Sequence, residues 1–414
     1  MKKFCTKVTD LNRKGLGIVL DYSGKIILEI PYTLPGDSVD YELGADNKLN
    51  IVRLNKESSH RVEALCPKFG ECGACSLQHA SKSFLLEWKQ SVVKHDLRKR
   101  GIDTIFRPTI TVPQLSRRRA KFVGRRVKRK AIVGFHKRSS SEIVSFEGCV
   151  ILDPSIINFL GGMEKITLLT CTRTSRVSFH VSTSESGLDV HVKGIRKFGE
   201  EIKAELIEIA RDNKVSRFIC DNDLLVLFNK PFQRASNFRI YPPSLFFMQA
   251  TKIAENTMTE SVVEAFKSEK NVADLFSGYG VFSLALSVDK RVAAYDNSGE
   301  MLMALDKAYK NHTNLKRIKT HVRDLHKSPL TSRELSQYDG IIANPPRAGA
   351  LKQVMEIVKS DIRRIVYISC NVDTFSRDSK ILVDGGFNLD WLRIIDQFRW
   401  SHHIEILSQF SRTN

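Results

Sequence analysis

The strongest constraint on this chain lies in its second half. From about residue 246 onward, apolar strand-like runs alternate with stretches of amphipathic, helix-like spacing; Asn271–Phe276, Arg291–Tyr295, Tyr338–Ala343 and Arg364–Ile368 are the clearest runs. Strands that are apolar throughout are buried on both faces, and a helix between each pair carries the chain back across the sheet, so neighbouring strands lie parallel. The pattern predicts an α/β fold with a Rossmann-like domain over residues 246–414. Sheets of this kind bind ligands in the crevice outside the carboxyl ends of their strands. The residues that follow each run are therefore the first candidates for function.

After the first run, Ser277-Gly278-Tyr279-Gly280 leads into Val281–Leu286, which reads as a helix. Two residues without side chains let a ligand approach the backbone at a helix N-terminus. Asp296 ends the next run about twenty residues on, where a carboxylate would meet a pair of ribose hydroxyls. The third glycine of the dinucleotide fingerprint is missing, which disfavours a nicotinamide cofactor. A tight turn without a ligand is the plain alternative. Asp324 follows a third strand, and Asn344 opens the segment Asn344-Pro345-Pro346-Arg347, whose paired prolines stiffen the loop.

Cys370 follows the Arg364–Ile368 run and so points into the same crevice. A lone cysteine is usually a small buried hydrophobe; its place at a strand end makes it a candidate nucleophile. The last strand pair contains Asp396-Gln397-Phe398-Arg399-Trp400 and ends at Glu405. An aromatic setting raises the pKa of a carboxyl group, which makes Glu405 a candidate proton acceptor.

The first half reads differently. Residues 1–58 show short strands around Gly15–Leu20, Lys25–Ile30 and Ser38–Tyr41, with turns at Tyr22–Gly24 and Leu34–Asp37, the spacing of a small OB-like β-barrel. Residues 59–245 read as a central α+β domain that opens with cysteines and then a helix over 82–100, expected to pack on the C-terminal domain. Cys66, Cys72 and Cys75 follow one another at five- and two-residue spacing, with Cys149 free to complete a set of four thiolates. Such a set binds zinc or an iron–sulfur cluster, and spacing alone does not choose between them.

The formal net charge is +19, which attracts polyanions. Arg117-Arg118-Arg119-Ala120-Lys121, Arg125-Arg126-Val127-Lys128-Arg129-Lys130 and His136-Lys137-Arg138 surround Phe122 and Phe135, a mix suited to phosphate contacts and base stacking on RNA. A charged hairpin facing water is the alternative. No apolar stretch is long enough to span a bilayer, and no secretory signal is evident, so a cytoplasmic protein is expected.

Taken in order along nearly the whole chain, these motifs resemble the RNA (uracil-C5)-methyltransferase family, and in particular its iron–sulfur branch that modifies 23S ribosomal RNA. The resemblance runs through the N-terminal barrel, Cys66-x5-Cys72-Gly73-Ala74-Cys75, Phe247-Met248-Gln249, Asp274 to Gly280, Pro345-Pro346-Arg347-Ala348-Gly349, Ser369-Cys370-Asn371 and Asp396 to Glu405. It implies a TRAM-type barrel that binds RNA, a [4Fe-4S] cluster on Cys66, Cys72, Cys75 and Cys149, and S-adenosylmethionine as methyl donor. Gln249, Phe276, Asp296, Asp324 and Asn344 would surround the donor and target base. It further implies that Cys370 adds to C6 of a uracil and that Glu405 later removes the proton from C5, with RNA as partner and a monomeric enzyme. The chain has Asn344 where the family carries aspartate. Two rival readings remain at this point: an amino-methyltransferase acting through Asn344-Pro345-Pro346, which would leave Cys370 and Glu405 idle, and an RNA-binding ribosome-assembly protein with impaired catalysis.

Overall fold

The computed structural model of the chain describes residues 3–21, 23–43 and 49–412. Its largest sheet has eight strands in the order Ile318–Val322, Arg291–Asp296, Asn271–Leu275, Gly340–Ala343, Arg364–Ser369, Glu405–Ser411, Asn388–Asp396 and Ile105–Thr111. The first five run parallel, as the alternating pattern predicts, while Glu405–Ser411 is antiparallel to both neighbours. The chain enters mid-sheet at Asn271–Leu275, winds outward to Ile318–Val322, and returns on the other side at Gly340–Ala343. That reversal opens a crevice at the carboxyl ends of the two central strands. Their residues are buried almost without exception, and separate apolar cores lie on the two faces, one around Phe266, Leu284 and Leu305, the other around Ile341, Tyr367 and Phe410.

The expected boundary at residue 246 is displaced by two upstream segments. Strand Ile105–Thr111 adds in parallel to Asn388–Asp396, and Thr104 Oγ1 donates to the Leu389 carbonyl at 2.8 Å. The hairpin Gln233–Ala235 and Phe238–Ile240 buries Phe238 and Ile240 in the core of the C-terminal unit. Both segments are too short, and Ile105–Thr111 too partially buried, for periodicity to assign them to a sheet. The helix expected over 82–100 spans Lys82–Arg98, capped by Ser81, and packs on the C-terminal unit through Val93 and Leu97.

The central unit is a seven-stranded sheet in the order Ile143–Ser145, Lys130–His136, Arg119–Val127, Arg176–Ser184, Gly187–Lys193, Val215–Cys220 and Asp223–Leu227. Helix Leu160–Thr170 covers one face, over a core that includes Phe122, Phe179, Val190 and Val192. The expectation that Phe122 stacks on bases is corrected here. Its ring is fully buried and stacked on Phe146 with centroids 4.4 Å apart. Strand alternation turns Phe122 inward and its cationic neighbour Lys121 outward.

At the N-terminus, two three-stranded antiparallel sheets, Lys3–Lys7, Ser38–Leu43 and Leu49–Lys56, and Asp10–Leu11, Gly17–Leu20 and Ile26–Ile30, share a small core of Val8, Val19, Ile30 and Val39. Tyr22 of the expected turn lies outside the described residues. Among the described residues no helix is long and apolar enough to cross a membrane.

Candidate active site

Gly280 begins the short helix Val281–Leu286 with φ at 80°, and a Cβ there would stand 2.4 Å from Leu305 Cδ1, so only glycine fits. Asp296 organises the facing turn: its carboxylate accepts from Gly278 N at 2.8 Å and from Ser298 N at 2.9 Å. Phe276 also takes a left-handed φ of 60°, a strained conformation for an aromatic residue, and its ring centroid is 5.3 Å from that of His326. Asp274 is buried beneath, accepting from Ser283 Oγ at 2.6 Å, and burial pushes its carboxyl up to about 7.

Phe276, Gly278, Asp296, Asp324, Asn344, Cys370 and Glu405 line one cleft of about 890 Å³. Strand register explains how the last two meet. Ser369 pairs with Ile406 across the antiparallel strands, so one step further along the ladder stand Cys370 and Glu405. Cys370 is half-buried; burial raises its thiol pKa, the Glu405 charge adds to that, and the Arg347 guanidinium opposes it. Glu405 is buried, and desolvation pushes its carboxyl up to about 7 against a hydrogen bond from Gln397 and the charges of Arg119 and Arg347.

Gln249 does not line the cleft. It stands one layer behind: Gln397 Nε2 donates to Glu405 Oε2 at 2.8 Å and to Gln249 Oε1 at 2.9 Å, while the Ala250 N–H fixes Gln397 by donating to its Oε1 at 2.9 Å. Its neighbour Phe247 is on the cleft wall, 55% exposed, with the Arg119 guanidinium 4.5 Å over the ring.

Two residues that the sequence reading left without a role hold this geometry together. Arg347 lies against both Cys370 and His403 Nδ1, 3.2 Å away, and its carbonyl accepts from Asn371 Nδ2 at 2.9 Å. Lys89 is fully buried and donates to Asp396 Oδ1 at 2.5 Å and to the carbonyls of His403 and Phe398 at 3.1 and 3.3 Å. The signal for Lys89 was present in the sequence: it falls on the same helix face as Leu85 and Val93, where a lysine needs a buried partner.

Cys66, Cys72, Cys75 and Cys149 line one small cavity together with Phe69, Phe135, Phe146 and Ile151, and Lys68, Gln78 and Glu147 also reach its wall. All four are free thiols. Burial raises Cys72 and Cys149 and pushes Cys75 up to about 12. Among the described residues no three His, Cys, Asp or Glu side chains converge closely enough to grip a metal ion. Four thiols lining one cavity are a donor set that either a zinc ion or an iron–sulfur cluster accepts. The loop forms part of the cleft wall: Gly73 and Ala74 line the cleft, and the amides of Ser76 and Leu77 donate to the Trp400 carbonyl at 2.9 and 3.0 Å.

Residues 199–412 match the family profile described as tRNA (uracil-5-)-methyltransferase. The chain is 35% identical to an uncharacterized RNA methyltransferase of Mesorhizobium japonicum, over 97% of this chain and 96% of that one. It is 25% identical to the 23S rRNA (uracil(1939)-C(5))-methyltransferase of Photorhabdus laumondii, over 97% and 95%. The fold is similar to the crystal structure of the Pyrococcus abyssi tRNA (uracil-54, C5)-methyltransferase in complex with S-adenosyl-L-homocysteine, with a TM-score of 0.74, 19% identity, and coverage of 98% and 99%.

Proposed function

Because the chain belongs to the tRNA (uracil-5-)-methyltransferase family, and is therefore an RNA methyltransferase that takes its methyl group from S-adenosylmethionine, we propose that it methylates C5 of a uridine in 23S ribosomal RNA. The observation that carries the mechanism is the adjacency of Cys370 and Glu405 across one strand pair, above the turn that Asp296 organises. The similarity to the Photorhabdus laumondii enzyme supports the choice of RNA.

C5 of uracil is a weak nucleophile until something adds at C6. The Cys370 thiolate, favoured by Arg347, forms an S–C6 bond, and the C5–C6 π electrons move onto C5 and the C4 oxygen. C5 then takes the methyl carbon as its bond to the sulfonium sulfur breaks, releasing S-adenosylhomocysteine. Glu405 removes the proton from C5. The electrons of that C–H bond re-form C5=C6 and expel the Cys370 thiolate. Gln397, held by Gln249 and Ala250, orients the Glu405 carboxylate for this step. Asp296 would receive the ribose hydroxyls of the donor, with Phe276, Asp324 and Asn344 around donor and base. Phe247 offers an exposed ring at the rim on which an unstacked base can rest.

Cys66, Cys72, Cys75 and Cys149 would hold a [4Fe-4S] cluster, which supplies a rigid cross-link between the loop and the central sheet. The N-terminal strands serve as a TRAM-type barrel that adds to RNA binding. The test is to incubate the protein with labelled S-adenosylmethionine and unmodified 23S transcript, digest the RNA, and look for 5-methyluridine. Its absence, with RNA binding intact, would move the reading to an RNA-binding protein with impaired catalysis, the reading motivated by Asn344.

A further inference from the structure

We propose that the open face of the seven-stranded central sheet is a phosphate track that seats a double-helical RNA arm leading into the cleft; the proposal rests on the RNA reading above. Within Arg119–Val127 successive side chains alternate between faces. Phe122 is turned into the core, so Arg119, Lys121, Val123 and Arg125 face outward. Register carries this face across the neighbouring strands. Lys121 stands opposite His180, Val123 opposite Gly134 and Ser178, Ser178 opposite Lys193, and Arg125 opposite Arg176. Residues far apart in sequence thus form one band in which Lys121, Arg125, Arg176 and Lys193 are all exposed.

The band is open, and none of its four cations makes an ion pair among the described residues. Of the carboxylates near this face, Asp189 is already held by both ends of the Arg217 guanidinium at 2.8 and 2.6 Å, and Asp221 accepts from the Gly194 N–H at 2.7 Å. A Cβ on Gly134 would come 1.8 Å from the Val144 carbonyl, so glycine is what lets strand Ile143–Ser145 pair closely beside the groove wall. The groove adjoins the cleft: Lys121 and Phe135 line both, the groove continues to Arg176 and Lys193, and the cleft continues through Arg119 to Glu405. A single strand therefore carries cations from the reacting centre out across the sheet, with alternate residues about 7 Å apart.

The chemistry of the band selects its occupant. Single strands are held by aromatic side chains on which bases stack, but the phenylalanines of these strands are largely spent elsewhere: Phe122 and Phe179 are buried in the core, and Phe135, half-buried at the groove wall, packs on Phe122 with centroids 5.0 Å apart. A band in which cations outnumber the rings that reach it suits the phosphates of an A-form helix, which is recognised by shape and backbone.

The variant Arg125→Ala/Arg176→Ala/Lys193→Ala tests this, using an RNA duplex of about 16 base pairs and an oligouridine of equal length as probes. Duplex affinity should fall about tenfold or more, and the slope of log Kd against log salt should flatten by about 3, while oligouridine affinity falls by less than about threefold. Circular dichroism and thermal unfolding verify the fold; should the triple variant be unstable, Arg176→Ala alone is used, with a slope change of about 1. Unchanged duplex affinity would overturn the track, and so would an equal loss on both probes. An equal loss from Lys197→Ala/Lys203→Ala, which removes charge elsewhere, would also overturn it, since net charge would then carry the binding. A wild-type protein that forms no 5-methyluridine sinks the methylation reading, while the duplex measurement still decides the track.

Discussion

Lys89 Nζ lies 2.5 Å from Asp396 Oδ1 with both side chains closed to solvent, joining the helix Lys82–Arg98 to the loop that ends at Glu405. Burial alone lowers the lysine pKa, and the Asp396 charge opposes that shift. Lys89 also satisfies the carbonyls of Phe398 and His403, so it fixes the backbone that leads to Glu405. Replacing one member leaves an uncompensated buried charge. Lys89→Met should therefore lose about 3 kcal/mol or more of unfolding free energy in urea. Adding Asp396→Leu should recover part of it; a single variant as stable as the wild type would show that the pair is not holding the loop.

Glu405 makes a prediction about an intermediate. With the base removed, Cys370 can still add to C6 and C5 can still take the methyl group, but the adduct cannot eliminate. Glu405→Gln should accumulate an RNA–protein complex that survives a denaturing gel, and Glu405→Gln/Cys370→Ala should not form it. In the wild type, adduct decay after a single turnover should rise about tenfold per pH unit below neutrality and level off above about pH 7, where the carboxylate is ionised. Decay independent of pH from 5 to 8 would remove Glu405 from the step.

The same group sets a stability difference. Its folded pKa, about 7, lies above its ordinary value of 4.5, so between these values the native state holds a proton that the unfolded chain has released. Stability conferred by that proton is complete below about pH 4.5 and is lost as pH rises through 7. Glu405→Gln, which carries no charge to bury, should be more stable than the wild type at pH 8 by an amount on the order of 3 kcal/mol at most, and the advantage should vanish near pH 4. Urea unfolding at the two pH values measures it.

How much of this was legible in the sequence depends on the range of the interaction. The parallel sheet and its strand-end residues could be read because burial on both faces leaves unbroken apolar runs, and Asp296, Asn344 and Cys370 follow those runs directly. Strand Ile105–Thr111 could not be placed, because its partner Asn388–Asp396 lies far along the chain and its own burial is partial. Phe122 was misread because composition counts a phenylalanine among arginines without knowing which face of the strand it takes. Gln249 belongs to the motif, yet its position behind Gln397 depends on a hydrogen bond across 148 residues. The cationic band is the clearest case: Arg125 and Arg176 become neighbours only through strand register.

The cysteine loop yields the last prediction. Cys66, Cys72 and Cys75 lie on one short segment, whereas Cys149 reaches their cavity from beyond the strand Ile143–Ser145. A cluster bound by all four ties that segment to the central sheet, and the segment in turn holds the Trp400 carbonyl through Ser76 and Leu77. Protein prepared without oxygen should contain about four iron and four sulfide per chain, and Cys149→Ser should lower that content severely. The consequence should reach the Glu405 loop through Trp400: tryptophan fluorescence should shift and proteolysis near residues 66–75 should accelerate in Cys149→Ser, while the helix content is kept. Zinc at one equivalent with no iron would replace the cluster by a single ion. Full iron content in Cys149→Ser would take that residue out of the ligand set and sever the link between the central sheet and the cleft wall.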